Sequence, residues 1–291
     1  MRTLLVSFLI PTLAFACVGN AKDTGDGLVE DPPKGDVPVI LTAGMVYTCG
    51  IDKAGLASCW GLPMEPSEGT PASPYPDTVF MDIDADAGTT CGVRLDGTAV
   101  CWGGLFDGIE LVDGATDLRQ ISMGRSHACG VHLDGSLTCF GGTGTVPAGD
   151  FTSVSVGDLR SCAVAVGGGL ECWGEVGGFA ENAPSTGVSE VDVSGLACAI
   201  QEGGVVCWDD TYADLGLLAG VEVVALQTGA NFVCGITPEH TLVCDGETAD
   251  GRSEPPAGTY TALGLGYDHG CASGPDGLVC WGADGNGQAS P

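Results

Sequence analysis

Cysteine is the residue type whose spacing points most directly to chemistry in this chain. Fourteen of the fifteen cysteines form seven pairs whose members lie nine or ten positions apart. Zinc sites place two cysteines about two to four residues apart and need a second such pair nearby, so this spacing argues against a metal. It instead predicts seven disulfides: Cys49–Cys59, Cys91–Cys101, Cys129–Cys139, Cys162–Cys172, Cys198–Cys207, Cys234–Cys244 and Cys271–Cys280.

The elements that must position these cysteines are β-hairpins. Two residues ten positions apart face each other across a hairpin when the loop has an odd number of residues. A three-residue loop at 95–97, with Gly97 in the left-handed conformation, therefore places Cys91 beside Cys101. The two pairs that are nine positions apart need an even loop, and both have altered turns, at 201–204 and 274–277. This covariation predicts one cross-strand disulfide per repeat, each contributing roughly 2.5–3 kcal/mol.

The residues around the cysteines repeat at intervals of 33 to 42 positions. Repeats of this size are typical of β-propellers, whose blades are small sheets of about four strands. An aliphatic residue lies eight positions before the first cysteine in six repeats: Leu41, Ile83, Ile121, Val154, Leu226 and Leu263. Glycine lies five positions before it in five repeats: Gly44, Gly124, Gly157, Gly229 and Gly266. Together with the Asp-Gly and Gly-Gly steps between the cysteines, these positions predict strand, turn and strand in every repeat.

Three stretches resemble the repeat of RCC1-like β-propellers. Residues 124–135, Gly-Arg-Ser-His-Ala-Cys-Gly-Val-His-Leu-Asp-Gly, are similar to its first half, residues 266–269 to its opening, and residues 281–290 to its second half. The resemblance extends over 37–291 and implies an all-β domain of seven four-stranded blades in a ring, with a surface for protein partners. It also implies closure by a strand around 37–44 that completes the blade containing Cys271. An open solenoid is the alternative architecture.

The first residues predict export. Residues 1–16 combine a charged start with an apolar run that is too short to span a bilayer, as in a signal peptide. Cys17 follows directly and resembles the lipid-modified cysteine of bacterial lipoproteins, although Ala14 holds a position where leucine is usual. A secretory cut after Ala16 or Ala21 is the competing interpretation. Residues 17–36 are polar and rich in glycine, proline and aspartate, which predicts a flexible tether.

The charge balance excludes nucleic acid as a partner. The chain has 38 acidic and 9 basic residues, for a net charge of −29. Binding a phosphate backbone needs clustered lysine and arginine, and the basic residues of this chain are scattered singly. The negative charge mainly favours solubility, and it leaves room for attraction to a basic partner.

Candidate catalytic chemistry is sparse, and the sequence predicts neither a cofactor nor a metal. His127 and His269 share one position, two before the cysteine, and are expected to lie in different blades without a shared metal. Asp82, Asp84 and Asp86 suggest a calcium loop, but a solvated polar strand face is the preferred interpretation. We find no Ser/His/Asp set, no P-loop and no dinucleotide motif. We therefore predict no enzyme, with a carbohydrate-active propeller as the alternative because paired carboxylates could go unnoticed among so many acids.

The longest connection between repeats, residues 62–77, is the predicted binding segment. Its prolines keep it extended, and Met64 and Tyr75 are its candidate apolar contacts. The alternative is a tolerated surface insertion. The sequence thus predicts a monomeric binding or scaffolding module, lipid-anchored on a bacterial cell envelope, whose partner is an unidentified protein or a surface glycan. A structural surface-coat protein is a further alternative. Neither the partner nor the choice between inner and outer membrane follows from the sequence.

Overall fold

The computed structural model describes residues 39–61, 75–103, 115–141, 144–174, 178–209 and 214–291. These residues form seven antiparallel sheets, each with three strands in the order first, second, third. We number the sheets 1 to 7 along the chain and the strands β1 to β21 in the same direction. The only α-helix of the described residues is the single turn α1 (Phe179–Asn182), so the predicted all-β class is confirmed.

Each sheet uses three strands that follow one another along the chain. The first strands are β1 (Ile40–Ala43), β4 (Phe80–Asp86), β7 (Leu118–Met123), β10 (Phe151–Val156), β13 (Val188–Val193), β16 (Ala225–Thr228) and β19 (Ala262–Leu265). The second strands are β2 (Tyr47–Ile51), β5 (Thr89–Arg94), β8 (His127–His132), β11 (Arg160–Ala165), β14 (Ala197–Gln201), β17 (Phe232–Ile236) and β20 (His269–Gly274). The third strands are β3 (Ala57–Gly61), β6 (Ala99–Gly103), β9 (Leu137–Gly141), β12 (Leu170–Gly174), β15 (Gly204–Trp208), β18 (Leu242–Gly246) and β21 (Gly277–Gly282).

The register of the second and third strands confirms the predicted disulfides. Paired cysteines lie directly opposite each other in every sheet, with Cα atoms 4.0 to 4.1 Å apart. Cys91 faces Cys101 across the expected three-residue loop, and Gly97 has a φ of 80°. In sheet 5, Gln201 pairs with Gly204, so the loop has two residues. This shorter loop accounts for the spacing of nine positions between Cys198 and Cys207. The first cysteine of each pair is completely buried.

The first strands pack side by side in a cycle. Each contacts the first strand of the next sheet, and β19 of sheet 7 contacts β1 of sheet 1. The five glycines that precede the cysteines permit this approach. A Cβ on Gly124 would lie 2.0 Å from the carbonyl oxygen of Gly157, and one on Gly266 would lie 2.4 Å from that of Gly44. The same backbone contact therefore joins sheets 3 and 4 and sheets 7 and 1.

The predicted pairing of the N-terminal strand is wrong. We expected residues 37–44 to complete the sheet that contains Cys271, but β1 pairs with β2 in sheet 1, where Thr42 faces Cys49. The amide of Gly44 donates to the carbonyl of Tyr47 and closes a tight local loop, as Gly124 and His127 do in sheet 3. Closing a short hairpin costs less chain entropy than pairing with a strand at the other end of the chain. The described residues provide three strands per sheet, and a fourth stays a prediction.

Seven small apolar clusters, rather than one central core, hold the sheets together. A typical cluster combines a disulfide with aliphatic residues from two neighbouring sheets: Cys91 and Val93 of sheet 2 pack against Leu118 and Ile121 of sheet 3. The aliphatic residues predicted eight positions before the cysteines are all buried. Within the described part of the chain, no helix is long and apolar enough to cross a membrane.

Candidate functional site

The first strands of all seven sheets enclose a central channel. Its cavity of about 50 Å³ is lined by residues from β1, β4, β7, β10, β13, β16 and β19. The residue opposite the first cysteine of each pair recurs in its wall, and six of these seven residues are polar. They are Thr42, Asp84, Ser122, Ser155, Asp192, Gln227 and Gly264. The first strands of sheets 1 to 6 therefore bring polar side chains to the axis, whereas sheet 7 has glycine at this position.

These channel side chains join neighbouring sheets. Five of them, in sheets 1 to 5, accept a hydrogen bond from a backbone amide on the first strand of the following sheet. The contacts are Thr42 Oγ1 with Ala85 N at 3.0 Å, Asp84 Oδ2 with Met123 N at 2.8 Å, Ser122 Oγ with Val156 N at 3.0 Å, Ser155 Oγ with Val193 N at 2.8 Å, and Asp192 Oδ2 with Thr228 N at 2.7 Å. The polar residues of the channel wall therefore have a structural role, because they form hydrogen bonds between sheets.

Four carboxyl groups in sheets 2 and 5 take part in this bonding. Asp82 Oδ2 accepts from Ile121 N at 2.8 Å, and Glu190 Oε1 accepts from Leu226 N at 3.0 Å. Burial raises the pKa of Asp82 and of Glu190 to about 7, and that of Asp192 to about 6. Burial also raises the pKa of Asp84, against the hydrogen bond from Thr42. These groups thus bind protons more tightly than ordinary carboxyls do.

The calcium hypothesis and the solvated-face interpretation both require correction. Asp82, Asp84 and Asp86 lie on strand β4 rather than in a loop, and the carboxylates of Asp82 and Asp84 bind backbone amides of sheet 3. They are half-buried, with Asp84 and Asp86 in the channel wall, so they do not form a solvated outer face. Among the described residues, no group of three histidine, cysteine, aspartate or glutamate side chains is placed to hold a metal ion.

The two histidines predicted to share a position make equivalent contacts between sheets. His127 Nε2 lies 2.7 Å from Ser161 Oγ, and His269 Nε2 lies 2.9 Å from Thr48 Oγ1. Burial lowers the pKa of both histidines, which favours the neutral imidazole. The histidines lie in sheets 3 and 7 and contact different partners.

Sequence reasoning missed one arrangement of catalytic type. Asp268 Oδ1 lies 3.6 Å from His269 Nδ1, and His269 Nε2 contacts the hydroxyl of Thr48. Acid, imidazole and hydroxyl in this order are the components of a hydrolase triad. The side chains of His269 and Thr48 are 0% exposed, however, so a substrate has no access to the hydroxyl. The arrangement therefore joins sheets 7 and 1. Only the fold could reveal it, because Thr48 and His269 are 221 positions apart.

The predicted partner contacts have different outcomes. Met64 and the proposed lipidation site Cys17 lie outside the described residues, so both stay predictions. The ring of Tyr75 packs edge-on against Trp102 at 5.9 Å and Phe80 at 6.4 Å, and the guanidinium of Arg94 lies over it at 5.4 Å. Tyr75 thus fixes the end of the connection to sheet 2, and a role of this residue in binding a partner stays a prediction.

The cycle of sheets has two different faces. The loops between first and second strands form one, which we call the loop face. The turns between second and third strands form the other, which we call the turn face. On the loop face, a second cavity of about 60 Å³ is lined by residues that include Met45, Asp86, Arg125, Asp158 and Tyr267. Arg125 Nε lies 3.5 Å from Asp158 Oδ1 there, in an exposed ion pair that contributes little to stability.

Three strongly exposed apolar side chains of the turn face lie in consecutive sheets. Leu95, Leu133 and Val166 are 67%, 64% and 67% exposed. Each holds the second position of its turn, in the consecutive sheets 2, 3 and 4. We call these three residues the apolar row.

Comparisons with known proteins support the fold class. No protein-family model matches the chain, and no curated protein matches it. Among solved structures, the CRINKLY WD40 ectodomain of the Arabidopsis thaliana receptor kinase ACR4 is 22% identical with a TM-score of 0.67, over 81% of this chain and 90% of that one. The entire ectodomain of the Physcomitrella patens receptor kinase CR4 is 22% identical with a TM-score of 0.64, over 84% and 72%. Human WBSCR16 is 15% identical with a TM-score of 0.62, over 82% and 87%.

These similarities establish the fold alone, since the identities are low. Seven repeated sheets in cyclic contact around a channel, together with these neighbours, define a β-propeller. Seven disulfides are typical of proteins that fold in an oxidising compartment, so they indicate an exported protein.

Proposed function

We propose that this protein is an exported, non-catalytic β-propeller that binds a protein partner through its turn face. The observation that carries the proposal is the apolar row, three large aliphatic side chains exposed in consecutive sheets of a disulfide-braced scaffold. Exposed apolar groups on a rigid surface are typical of protein interaction sites. The non-catalytic role is supported by the burial of the Asp268–His269–Thr48 arrangement and by channel carboxylates that bind backbone amides.

The proposal includes the finer features that the sequence predicts. The repeat resembles that of RCC1-like propellers, which favours blades of four strands and a protein partner. Cys17 follows a signal-like segment, which favours a lipid anchor on a bacterial envelope and a tether over 17–36. Intact mass of the mature protein tests the anchor. We expect an acylated Cys17 and fourteen thiols that become alkylated only after reduction. A mature chain that begins elsewhere without lipid would contradict the anchor.

Photo-crosslinking tests the protein-binding function itself. A photoreactive phenylalanine analogue replaces Leu133 on the turn face in one variant and Leu159 on the loop face in the other. Leu159 is the matched control, because it is an exposed leucine like Leu133 but lies on the loop face, directly before the second strand β11. We expect irradiation of intact cells to yield a discrete protein adduct from position 133 and none from position 159. Failure of both positions to yield an adduct would contradict the proposed function.

A further inference from the structure

The backbone of the turns makes the apolar row a fixed platform. The carbonyl of Gly97 accepts from Leu118 N at 3.0 Å, and the carbonyl of Gly135 accepts from Phe151 N at 2.9 Å. The carbonyl of Gly168 accepts from Val188 N at 3.0 Å in the same way. Each turn is therefore held against the first strand of the following sheet. A partner that binds here meets a surface that is already ordered and pays little entropy to arrange it.

The turns do not require aliphatic residues at this position. The equivalent position holds Lys53 in sheet 1 and Glu202 in sheet 5, and it holds proline in sheets 6 and 7. Leucine and valine side chains exposed here contribute little packing within the propeller, and water contact makes them unfavourable. Their presence in three consecutive turns is therefore not explained by folding, and burial against another molecule would stabilise the complex by about 25 cal/mol per Å² of apolar surface.

Acidic residues border the apolar row, and we call them the acidic border: Asp96, Asp117, Asp134 and Asp150. All four are exposed. Asp96 and Asp134 follow Leu95 and Leu133 directly. The carbonyl of Asp117 accepts from Leu133 N at 2.7 Å, and the carbonyl of Asp150 accepts from Val166 N at 2.8 Å, which places both beside the row.

Two members of the acidic border, Asp96 and Asp134, have lowered pKa values that keep them charged. The hydroxyl and amide of Thr98 donate to Asp96, and this lowers the pKa of Asp96. Ser136 lowers the pKa of Asp134 in the same way. The neighbouring arginines have other contacts, although the charge of Arg94 also lowers the pKa of Asp96. Arg94 lies over the Tyr75 ring, and Arg119 donates to the carbonyl of Phe151 at 2.7 Å.

We propose that the apolar row and the acidic border together bind a basic amphipathic segment of the protein partner, in which aliphatic residues alternate with lysine or arginine. This inference rests on the proposed function and names the chemistry of its partner. The aliphatic groups of such a segment pack on the row, while its cations meet the aspartates. The net charge of −29 attracts a cationic segment over a longer range. An anionic lipid surface is repelled by the same charges.

A fluorescence-anisotropy titration with a defined probe tests this inference. The probe is a labelled peptide of about 14 residues made of leucine and lysine, and a leucine–glutamate peptide of the same pattern is the control. We expect the leucine–lysine peptide to bind the wild-type protein with micromolar Kd, to weaken at least tenfold between about 0.05 and 0.3 M salt, and the control peptide not to bind.

Two sets of substitutions locate the binding. The triple variant L95S/L133S/V166S is expected to weaken binding at least tenfold, and so is D96N/D117N/D134N/D150N. The loop-face variant L159S is expected to keep Kd within twofold of wild type. Equal binding by wild type and both multiple variants would overturn the inference. So would a fall of more than about 5 °C in Tm in the triple variant, because it would show that the row serves folding.

The outcomes separate this inference from the proposed function. A protein adduct at position 133 that the leucine–lysine peptide fails to displace would overturn the inference and leave the protein-binding function standing. Loss of the adduct in the presence of the peptide would support both. Absence of any adduct in cells, together with peptide binding to the turn face, would contradict the protein-binding function. The inference that the turn face binds a basic amphipathic segment would still be supported.

Discussion

The junction between sheets 3 and 4 and the junction between sheets 7 and 1 use the same contacts over very different distances in the chain. His127 contacts Ser161 across 34 positions, whereas His269 contacts Thr48 across 221 positions. Glycine backbone contacts recur at both junctions as well, between Gly124 and Gly157 and between Gly266 and Gly44. Equivalent side chains therefore serve both a local junction and the junction that brings the two ends of the sheet cycle together.

Each junction also has bonds that the other lacks: the local one joins Gln120 to Val154 and Ser122 to Val156, and the distant one uses the C-terminal segment. The carbonyl of Gln288 accepts from Thr48 Oγ1 at 3.2 Å and from Trp60 Nε1 at 3.1 Å. Asp268 Oδ1 also lies 3.6 Å from His269 Nδ1, although neither His269 Nδ1 nor His127 Nδ1 has a hydrogen-bond partner among the described residues. Sheets 3 and 4 are consecutive in the chain, but sheets 7 and 1 must meet without a connecting segment. The extra contacts offset the larger loop-closure entropy of that encounter.

Gly266→Ala should give the largest effect, because it breaks the distant junction directly. The new Cβ would lie 2.3 Å from the His269 ring and 2.4 Å from the Gly44 carbonyl. We expect a loss of about 4 kcal/mol in the free energy of unfolding, measured by urea denaturation with disulfides intact. Gly285→Ala is the matched control, because its Cβ meets nothing within 4 Å. A loss below about 1 kcal/mol in Gly266→Ala would mean that the ends are not packed as described.

Paired histidine substitutions sharpen the comparison of the two junctions. His269→Ala should cost about 3 kcal/mol and His127→Ala about 2 kcal/mol, since both remove a buried side chain and its hydrogen bond. The difference is expected because His269→Ala also removes the 3.6 Å contact between Nδ1 and Asp268 Oδ1, for which His127 has no counterpart. Urea denaturation at pH 8 measures both variants with neutral imidazoles. Equal costs, or a larger cost at His127, would show that the distant junction has no special reinforcement.

The bonds between first strands differ in how they depend on pH. Asp82 bonds sheet 3 through a carboxyl, whereas Gln120 makes the corresponding contact with Val154 of sheet 4 through a neutral amide. Burial raises the pKa of Asp82 from 3.8 to about 7, so the folded state binds its proton more tightly. The resulting stability is complete below pH 3.8 and is lost as pH rises through 7.

Asp82→Asn should therefore stabilise the protein more at pH 8 than at pH 5. One pKa unit corresponds to about 1.4 kcal/mol, and water in the channel screens part of it, so we expect a difference of about 1 kcal/mol between the two pH values. Denaturation of wild type and variant at each pH measures it. Asp96→Asn is the control, because hydrogen bonds from Thr98 lower the pKa of Asp96 and keep it ionised throughout this range. A pH-independent effect of Asp82→Asn would contradict the raised pKa.

The smallest expected effect concerns the extra bond of the distant junction. Trp60→Phe removes the donor to the Gln288 carbonyl, while Trp102→Phe removes an indole that packs on Tyr75 and Phe80. Both substitutions replace an indole by a phenyl ring, so the lost hydrogen bond should make Trp60→Phe more costly by about 0.5 kcal/mol. Thermal unfolding of the two variants side by side measures the difference. A larger loss of stability in Trp102→Phe would show that the bond to the Gln288 carbonyl does not stabilise the junction of sheets 7 and 1.

Local patterns in the sequence predicted most of the repeat. The disulfides, the three-residue loop at Gly97 and the two-residue loop of sheet 5 all follow from residues about ten positions apart, where strand geometry and loop length fix the pairing. The pairing of β1 was predicted wrongly. The resemblance to a propeller family implied closure through a shared sheet, while the local hairpin at Gly44 determined the pairing.

The candidate sites depended far more on tertiary contacts. The sequence indicates that Asp82 and Asp84 are strand residues, but only the packing of the first strands shows that both bond the next sheet and that Asp84 lines the channel. Tyr75 stays a predicted partner contact, and only the structure shows that it also packs on Phe80 and Trp102. The sequence placed Leu95 in a hairpin loop, but only the tertiary structure shows that Leu95, Leu133 and Val166 are exposed on the same face in consecutive sheets.

The sequence by itself determined the seven hairpins, their disulfides and the acidic character of the chain, because these depend on period-two strands, turn residues and composition. The tertiary structure decided which side chains meet between sheets. Thr48 and His269, or Asp84 and Met123, become neighbours only when the sheets pack in a cycle, and no local rule relates residues so far apart in the chain. The same packing separates a turn face with an exposed apolar row from a channel where polar groups are already satisfied, and that separation places the proposed binding surface.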